Sequence, residues 1–198
     1  MKVPKVCFYY SFIYDEALSR KPVNYKRIEK GRKTVAGFQK YWDKKANRIL
    51  SSMSKISNLK WKTDKIICYF SFFTPFSYSA PLTIRFRKKK EHMLTVLVHE
   101  LSHNIFVANR ERILLPKSKK GLYKKYARET FNTKVHISVE ALMKLTLEKV
   151  FGKNAEKYLK WERCWELAKR GRRPSEYKRA WEIMLKEGPE NILREVVK

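Results

Sequence analysis

Met93-Leu94-Thr95-Val96-Leu97-Val98-His99-Glu100-Leu101-Ser102-His103-Asn104-Ile105-Phe106 is the stretch from which the rest of the chain can be read. Met93, Leu94, Leu97, Val98, Leu101, Ile105 and Phe106 cover much of a helix's circumference at 3.6 residues per turn. The spacing over residues 91–106 therefore predicts a central helix with apolar neighbours on several sides. Upstream, residues 65–73 form a continuous apolar and aromatic run, the profile of a buried strand. After Pro81, Leu82, Ile84 and Phe86 alternate with Thr83, Arg85 and Arg87, which predicts a half-exposed strand at a sheet edge guarded by basic side chains. Residues 5–13, bounded by Pro4 and Asp15, read as a third strand. Between residues 13 and 65, Val35, Phe38, Trp42, Ala46, Ile49 and Met53 recur at three- and four-residue steps, predicting one long helix over residues 25–53. Gly31 and Gly37 weaken it by about 1 kcal/mol each.

Downstream, residues 108–130 are a polar, basic connection containing Pro116 and Gly121. A second apolar helix starts around Val135, runs through Ala141, Leu142, Leu145 and Leu147, and ends at Gly152. From Asn154 onward the pattern is that of two or three amphipathic helices, with breaks at residues 171–174 and at Gly188-Pro189. The fold class expected is α+β: a small mixed or antiparallel sheet packed against a long helix and the helix quoted above, with a C-terminal helical region. Residues 1–152 form the main domain, and residues 153–198 a helical extension packed on it.

Two histidines four apart on a helix differ by about 40° around its axis, so His99 and His103 leave the same face and are placed to share one metal ion. Glu100 lies beside them, where its carboxylate is poorly placed to ligate but well placed to take a proton from a water that the metal polarises. Zinc lowers the pKa of such a water from 15.7 to about 7. Burying two imidazoles and a carboxylate on an otherwise apolar helix is costly without such a purpose. A catalytic zinc takes a third protein ligand and keeps one position open. His136 and Glu140, four apart and so on one face of the later helix, are both eligible.

The residues His99, Glu100 and His103, followed by Glu140-Ala141, resemble the zincin metallopeptidases, and within them the gluzincins, whose third ligand is a glutamate on a later helix. The resemblance covers residues 81–151, since the strand after Pro81 also looks like the one that binds extended substrate in that superfamily. It implies one catalytic Zn2+ on His99, His103 and Glu140, with Glu100 as the general base of peptide-bond hydrolysis. His136 is then an oxyanion-stabilising or outer-sphere residue, with Tyr123 and Tyr126 as weaker alternatives. The chain departs from the pattern at Lys144, where gluzincins carry a second carboxylate, and it lacks the Gly and His that follow the motif in metzincins. SprT-like DNA-associated proteases use a third histidine, which makes His136 the alternative third ligand.

Lys and Arg number 46 against 19 Asp and Glu, a net charge of +27. Charge of one sign on that scale attracts nucleic acid, anionic membrane surface or acidic protein. The basic residues are spread over several segments, which points to a folded basic surface. A second reading follows: a basic nucleic-acid-binding protein with a structural or vestigial metal site, or a protease recruited to nucleoprotein substrates. Cys7, Cys68 and Cys164 are odd in number and far apart, so they suggest reduced core residues of a cytoplasmic protein rather than a disulfide framework. No apolar stretch reaches the 18 or so residues of a membrane span. Tyr158, Trp161, Trp165, Tyr177, Trp181 and Met184 fall at helical spacing and are expected to be core rather than a base-stacking stripe.

Overall fold

The computed structural model describes residues 2–162 and 175–197. Its sheet has four strands, β1 (Lys5–Tyr10), β2 (Lys65–Ser71), β3 (Tyr78–Ser79) and β4 (Leu82–Arg85), in the order β1-β2-β4-β3. β1 pairs parallel to β2 and β2 parallel to β4, whereas β3 runs antiparallel to β4. The sheet is therefore mixed, and the fold is α+β as the patterning predicts. Parallel neighbours need a crossover connection. Between β1 and β2 it is supplied by α1 (Phe12–Ser19), α2 (Tyr25–Asp43) and α3 (Ala46–Ser57).

Register decides which strand residues meet these helices. Phe8 and Cys68 are partners, as are Tyr10 and Phe70, and Phe8, Cys68 and Phe70 are buried. The rings of Phe8, Phe38 and Phe70 meet one another at 5.2–5.6 Å in edge-on contacts, the orientation that the ring quadrupole favours. Gly31 of α2 stands where a Cβ would lie 2.5 Å from the Tyr10 ring, so helix and strand approach closely there.

Several boundaries differ from the sequence expectation, each for a local reason. β1 stops at Tyr10 because Ser11 caps α1, its hydroxyl accepting from the Tyr14 N–H at 3.2 Å. The cap aims Asp15 inward. That fully buried carboxylate accepts from the Ser71 hydroxyl, from the Phe72 N–H at 3.0 Å and from the Tyr10 hydroxyl at 3.0 Å. Burial, and then Asp15, push the Tyr10 phenol well above its ordinary range. The single helix expected over residues 25–53 is two, broken at Lys44-Lys45, where the Lys45 N–H turns back to the Trp42 carbonyl at 2.7 Å. The apolar spacing survives the break because Trp42, Ile49 and Met53 face one core on either side of it.

β4 is not the edge strand. β3 pairs outside it, Tyr78 with Thr83 and Ser79 with Leu82, and Thr83 is fully buried instead of facing solvent.

α4 (Lys90–Ala108) is the central helix, buried on most sides, and it packs against α6 (Phe131–Phe151), α7 (Glu156–Glu162) and the β3–β4 end of the sheet. A 3₁₀ turn at Arg110–Arg112 and the short α5 (Gly121–Lys125) occupy the basic connection. α8 (Ser175–Glu187) and α9 (Pro189–Val196) lie on α6. Tyr158, Trp181, Met184 and Ile192 belong to the same buried cluster as Phe70 and Leu97, so the C-terminal helices share the core of the main domain. The break at Gly188 is present, with a left-handed φ of 81° that suits glycine. The expected break at residues 171–174, together with Cys164 and Trp165, lies outside the described residues. Cys7 and Cys68 are free thiols. Among the described residues, no helix is long and apolar enough to cross a membrane.

Candidate metal centre

α4 and α6 cross so that three imidazoles meet. His99 and His103 leave one face of α4, and His136 reaches them from α6, with ring centroids 5.0–5.3 Å apart. One ligand nitrogen from each lies within 4.8 Å of the other two. Nε2 of His99 faces Nε2 of His103 at 3.2 Å. Two nitrogens bound to one ion at 2.0–2.1 Å with a tetrahedral angle lie about 3.3 Å apart, so this spacing fits a shared metal.

The protonation pattern suits ligation as well. α6 starts at Phe131, four residues before the sequence expectation, because the Thr130 hydroxyl accepts the Thr133 N–H at 3.1 Å. His136 consequently sits in the second turn, and its Nδ1 lies 2.8 Å from the Asn132 carbonyl. A carbonyl can only accept, so Nδ1 carries a proton, and in the neutral ring that leaves the Nε2 lone pair for a ligand. Burial, and then the mutual repulsion that protonation would meet from His99 and His136, push the His103 imidazole down to about 2. Neutral imidazoles are what a metal ion requires. The three histidines thus form a cluster able to hold a metal ion.

Glu140 stands outside the converging set. It is buried, and its Oε1 lies 3.5 Å from His99 Nδ1, on the other edge of the ring from Nε2. His136, the alternative, takes the position next to His99 and His103 that the resemblance gave to Glu140. Four residues apart on α6, the two share a face. The helix crossing sets His136 over the His99–His103 gap and Glu140 behind His99. Glu100 is buried too, at 8% exposure. Its negative charge adds to burial in raising the Cys68 thiol. Its carboxylate is not among the converging ligand atoms.

One turn further along α4, the Asn104 amide donates to the Ser79 carbonyl at 3.1 Å, tying the helix to the edge strand β3. An apolar cavity of about 260 Å³ opens beside His103, walled by Phe106, Ile113, Leu115, Phe131 and Val139.

Tyr123 and Tyr126 have other engagements. Tyr123 is buried, and burial raises its phenol, while the Tyr126 hydroxyl donates to Glu187. The tyrosine at the cluster is Tyr177 of α8, whose ring lies 4.2 Å from that of His136 and 6.3 Å from that of His99. It belongs to the aromatic stripe expected to be core. Tyr158, Trp181 and Met184 are core, but Tyr177 is 41% exposed. Its position in the stripe, one helical turn before Trp181, was the only signal available to find it. Trp161 stacks on His92 at 4.9 Å.

Fold and site together define an α+β protein with a largely buried three-histidine cluster of metal-binding character. Compared with protein-family models, with curated proteins and with solved structures, the chain gives no match.

Proposed function

We propose that the chain is a zinc-dependent metallopeptidase of the zincin type, with His99, His103 and His136 as ligands. The observation that carries this reading is the convergence of those three nitrogens beside a glutamate in His-Glu-x-x-His spacing. Three nitrogen ligands and an open fourth position are the ordinary composition of a catalytic zinc site. An ion held there by the three histidines would supply Lewis acidity, enough to bring the pKa of a water molecule to about 7.

The chain's own residues do the rest. Glu100 takes the proton released as water adds to the peptide carbonyl and passes it to the leaving amine. Glu140 orients His99 through Nδ1 and adds negative charge behind it, the outer-sphere arrangement common to metal-ligating histidines. The cavity beside His103 accepts an apolar side chain of the substrate. Tyr177 lies across the histidines from the side of α8 and limits approach from that direction. The free thiols of Cys7 and Cys68 support a cytoplasmic setting.

Elemental analysis of the purified protein is expected to find about one zinc per chain. Glu100→Gln should retain the zinc while abolishing cleavage of a peptide library. A folded protein that neither contains nor takes up zinc would overturn the reading, as would a Glu100→Gln variant with full activity.

A further inference from the structure

The sheet has a second face, and no part of the metal centre touches it. Residues of β1 and β2 that alternate with the buried Phe8, Cys68 and Phe70 point outward. In the parallel register Lys5 pairs with Lys65, Cys7 with Ile67, and Tyr9 with Tyr69. Three like pairs thus run across two neighbouring strands: a pair of lysines, an apolar pair and a pair of tyrosines. Tyr9 is 47% exposed and Ile67 43%, so the face is open to solvent. Neighbouring strands are about 4.8 Å apart, which sets the two tyrosines side by side.

The face ends in a cleft of about 360 Å³ at its tyrosine end, lined by Tyr9, Ile67 and Tyr69, closed by Phe12 and Ile13 of α1, and flanked by Arg32 of α2. Cationic groups therefore stand at both ends, Lys5 and Lys65 at one and Arg32 at the other. Asp64, the nearby acid at the start of β2, is paired to Lys2 at 2.8 Å. The whole chain carries a net charge of +27.

We propose that this face binds single-stranded nucleic acid, with bases stacking on Tyr9 and Tyr69 and phosphates held by Lys5, Lys65 and Arg32. Adjacent aromatic rings on an open sheet face, with cations spaced along the strands, form the kind of platform on which unpaired bases stack with little regard to sequence. A duplex keeps its bases stacked on one another and offers the rings nothing. Net charge alone would bind either form, so the tyrosines are what give a preference for single strands. The proposal does not depend on the metal centre, because no ligand or proposed catalytic residue lies on this face.

Fluorescence anisotropy with labelled dT20, rU20 and a 20-base-pair duplex, at about 50 mM salt, tests it. Both single strands should bind, more tightly than the duplex, and a chelator should leave their binding unchanged. A preference between dT20 and rU20 would tell whether DNA or RNA is the ligand. Tyr9→Ala combined with Tyr69→Ala leaves every charge in place and should weaken single-strand binding at least tenfold, since each stacked base contributes roughly a fivefold effect or more. The Tyr9→Phe, Tyr69→Phe variant keeps the rings and should bind as the parent does, which guards against misfolding of the alanine variant. Absence of binding at low salt would overturn the proposal. So would equal binding of single strands and duplex, or loss of both rings from a folded protein without effect.

Discussion

Glu140 meets His99 on the edge of its ring away from His103: Oε1 lies 3.5 Å from Nδ1, while Nε2 of the same ring faces His103 Nε2 at 3.2 Å. One imidazole thus links a buried carboxylate to the point where the three histidines converge. Carboxylates in that relation orient the ring and raise its basicity, and removing one costs about 10–100-fold in metal affinity. Glu140→Gln should therefore still bind zinc, weakened by that factor, in competition with a chelator of known affinity. His136→Ala should lose far more. The reverse ranking would make Glu140 the third ligand and His136 the accessory.

Two glycines of α2 should respond to alanine with opposite signs. At Gly37 a new Cβ meets nothing within 4 Å, so Gly37→Ala should stabilise the protein by about 0.5–1 kcal/mol through the helix propensity of alanine. At Gly31 the same methyl would lie 2.5 Å from the Tyr10 ring. That ring cannot readily yield, because its hydroxyl is held by Asp15 at 3.0 Å. Overpacking costs of about 1–3 kcal/mol outweigh the propensity gain, so Gly31→Ala should destabilise. Urea denaturation of the two variants beside the parent measures both, and a stabilised Gly31→Ala would show that α2 and β1 separate more easily than their contact indicates.

Alkaline pH offers a third test. Burial first, and then the hydrogen bond to Glu187, push the Tyr126 phenol up to about 12, from an ordinary value near 10. The folded state therefore holds this proton more tightly than the unfolded chain does. The resulting stability is fully present below pH ~10 and is lost as pH rises through about 12. Tyr126→Phe removes this contribution, so its urea midpoint should fall less between pH 9 and pH 11 than the parent's. Equal falls would mean that the phenol titrates alike in both states.

Much of the architecture was legible in the sequence because period and burial coincide there. The α4 pattern, the continuous apolar run of β2 and the spacing of His99 and His103 all follow from local geometry that a linear string preserves. Other features depend on partners distant in sequence. Residues 136 and 140 share a helical face, so spacing treats them alike, and only the crossing of α4 and α6 separates their roles. The burial of Thr83 in β4 required β3, two residues long and too short to announce itself by pattern. Tyr177 reads like its neighbours in the stripe until α8 is docked on α6. The break at Lys44-Lys45 carries neither Gly nor Pro, and the apolar spacing runs on past it. Ser11 and Thr130 are the exceptions that were readable in principle, since a hydroxyl residue ahead of an apolar-periodic segment is an ordinary helix start.

Gln39 of α2 closes the outer margin of the sheet, beside β1. Its side-chain carbonyl accepts the Phe8 N–H at 3.1 Å, and its side-chain amide N–H donates to the Val6 carbonyl at 3.2 Å. A single side-chain amide thus takes the place that the peptide group of another strand would occupy beside β1. An uncovered strand edge is a template on which a foreign chain can add. With its middle hydrogen-bonding pair already answered from within the molecule, β1 is a poor template, and the sheet ends there by construction rather than for want of another strand.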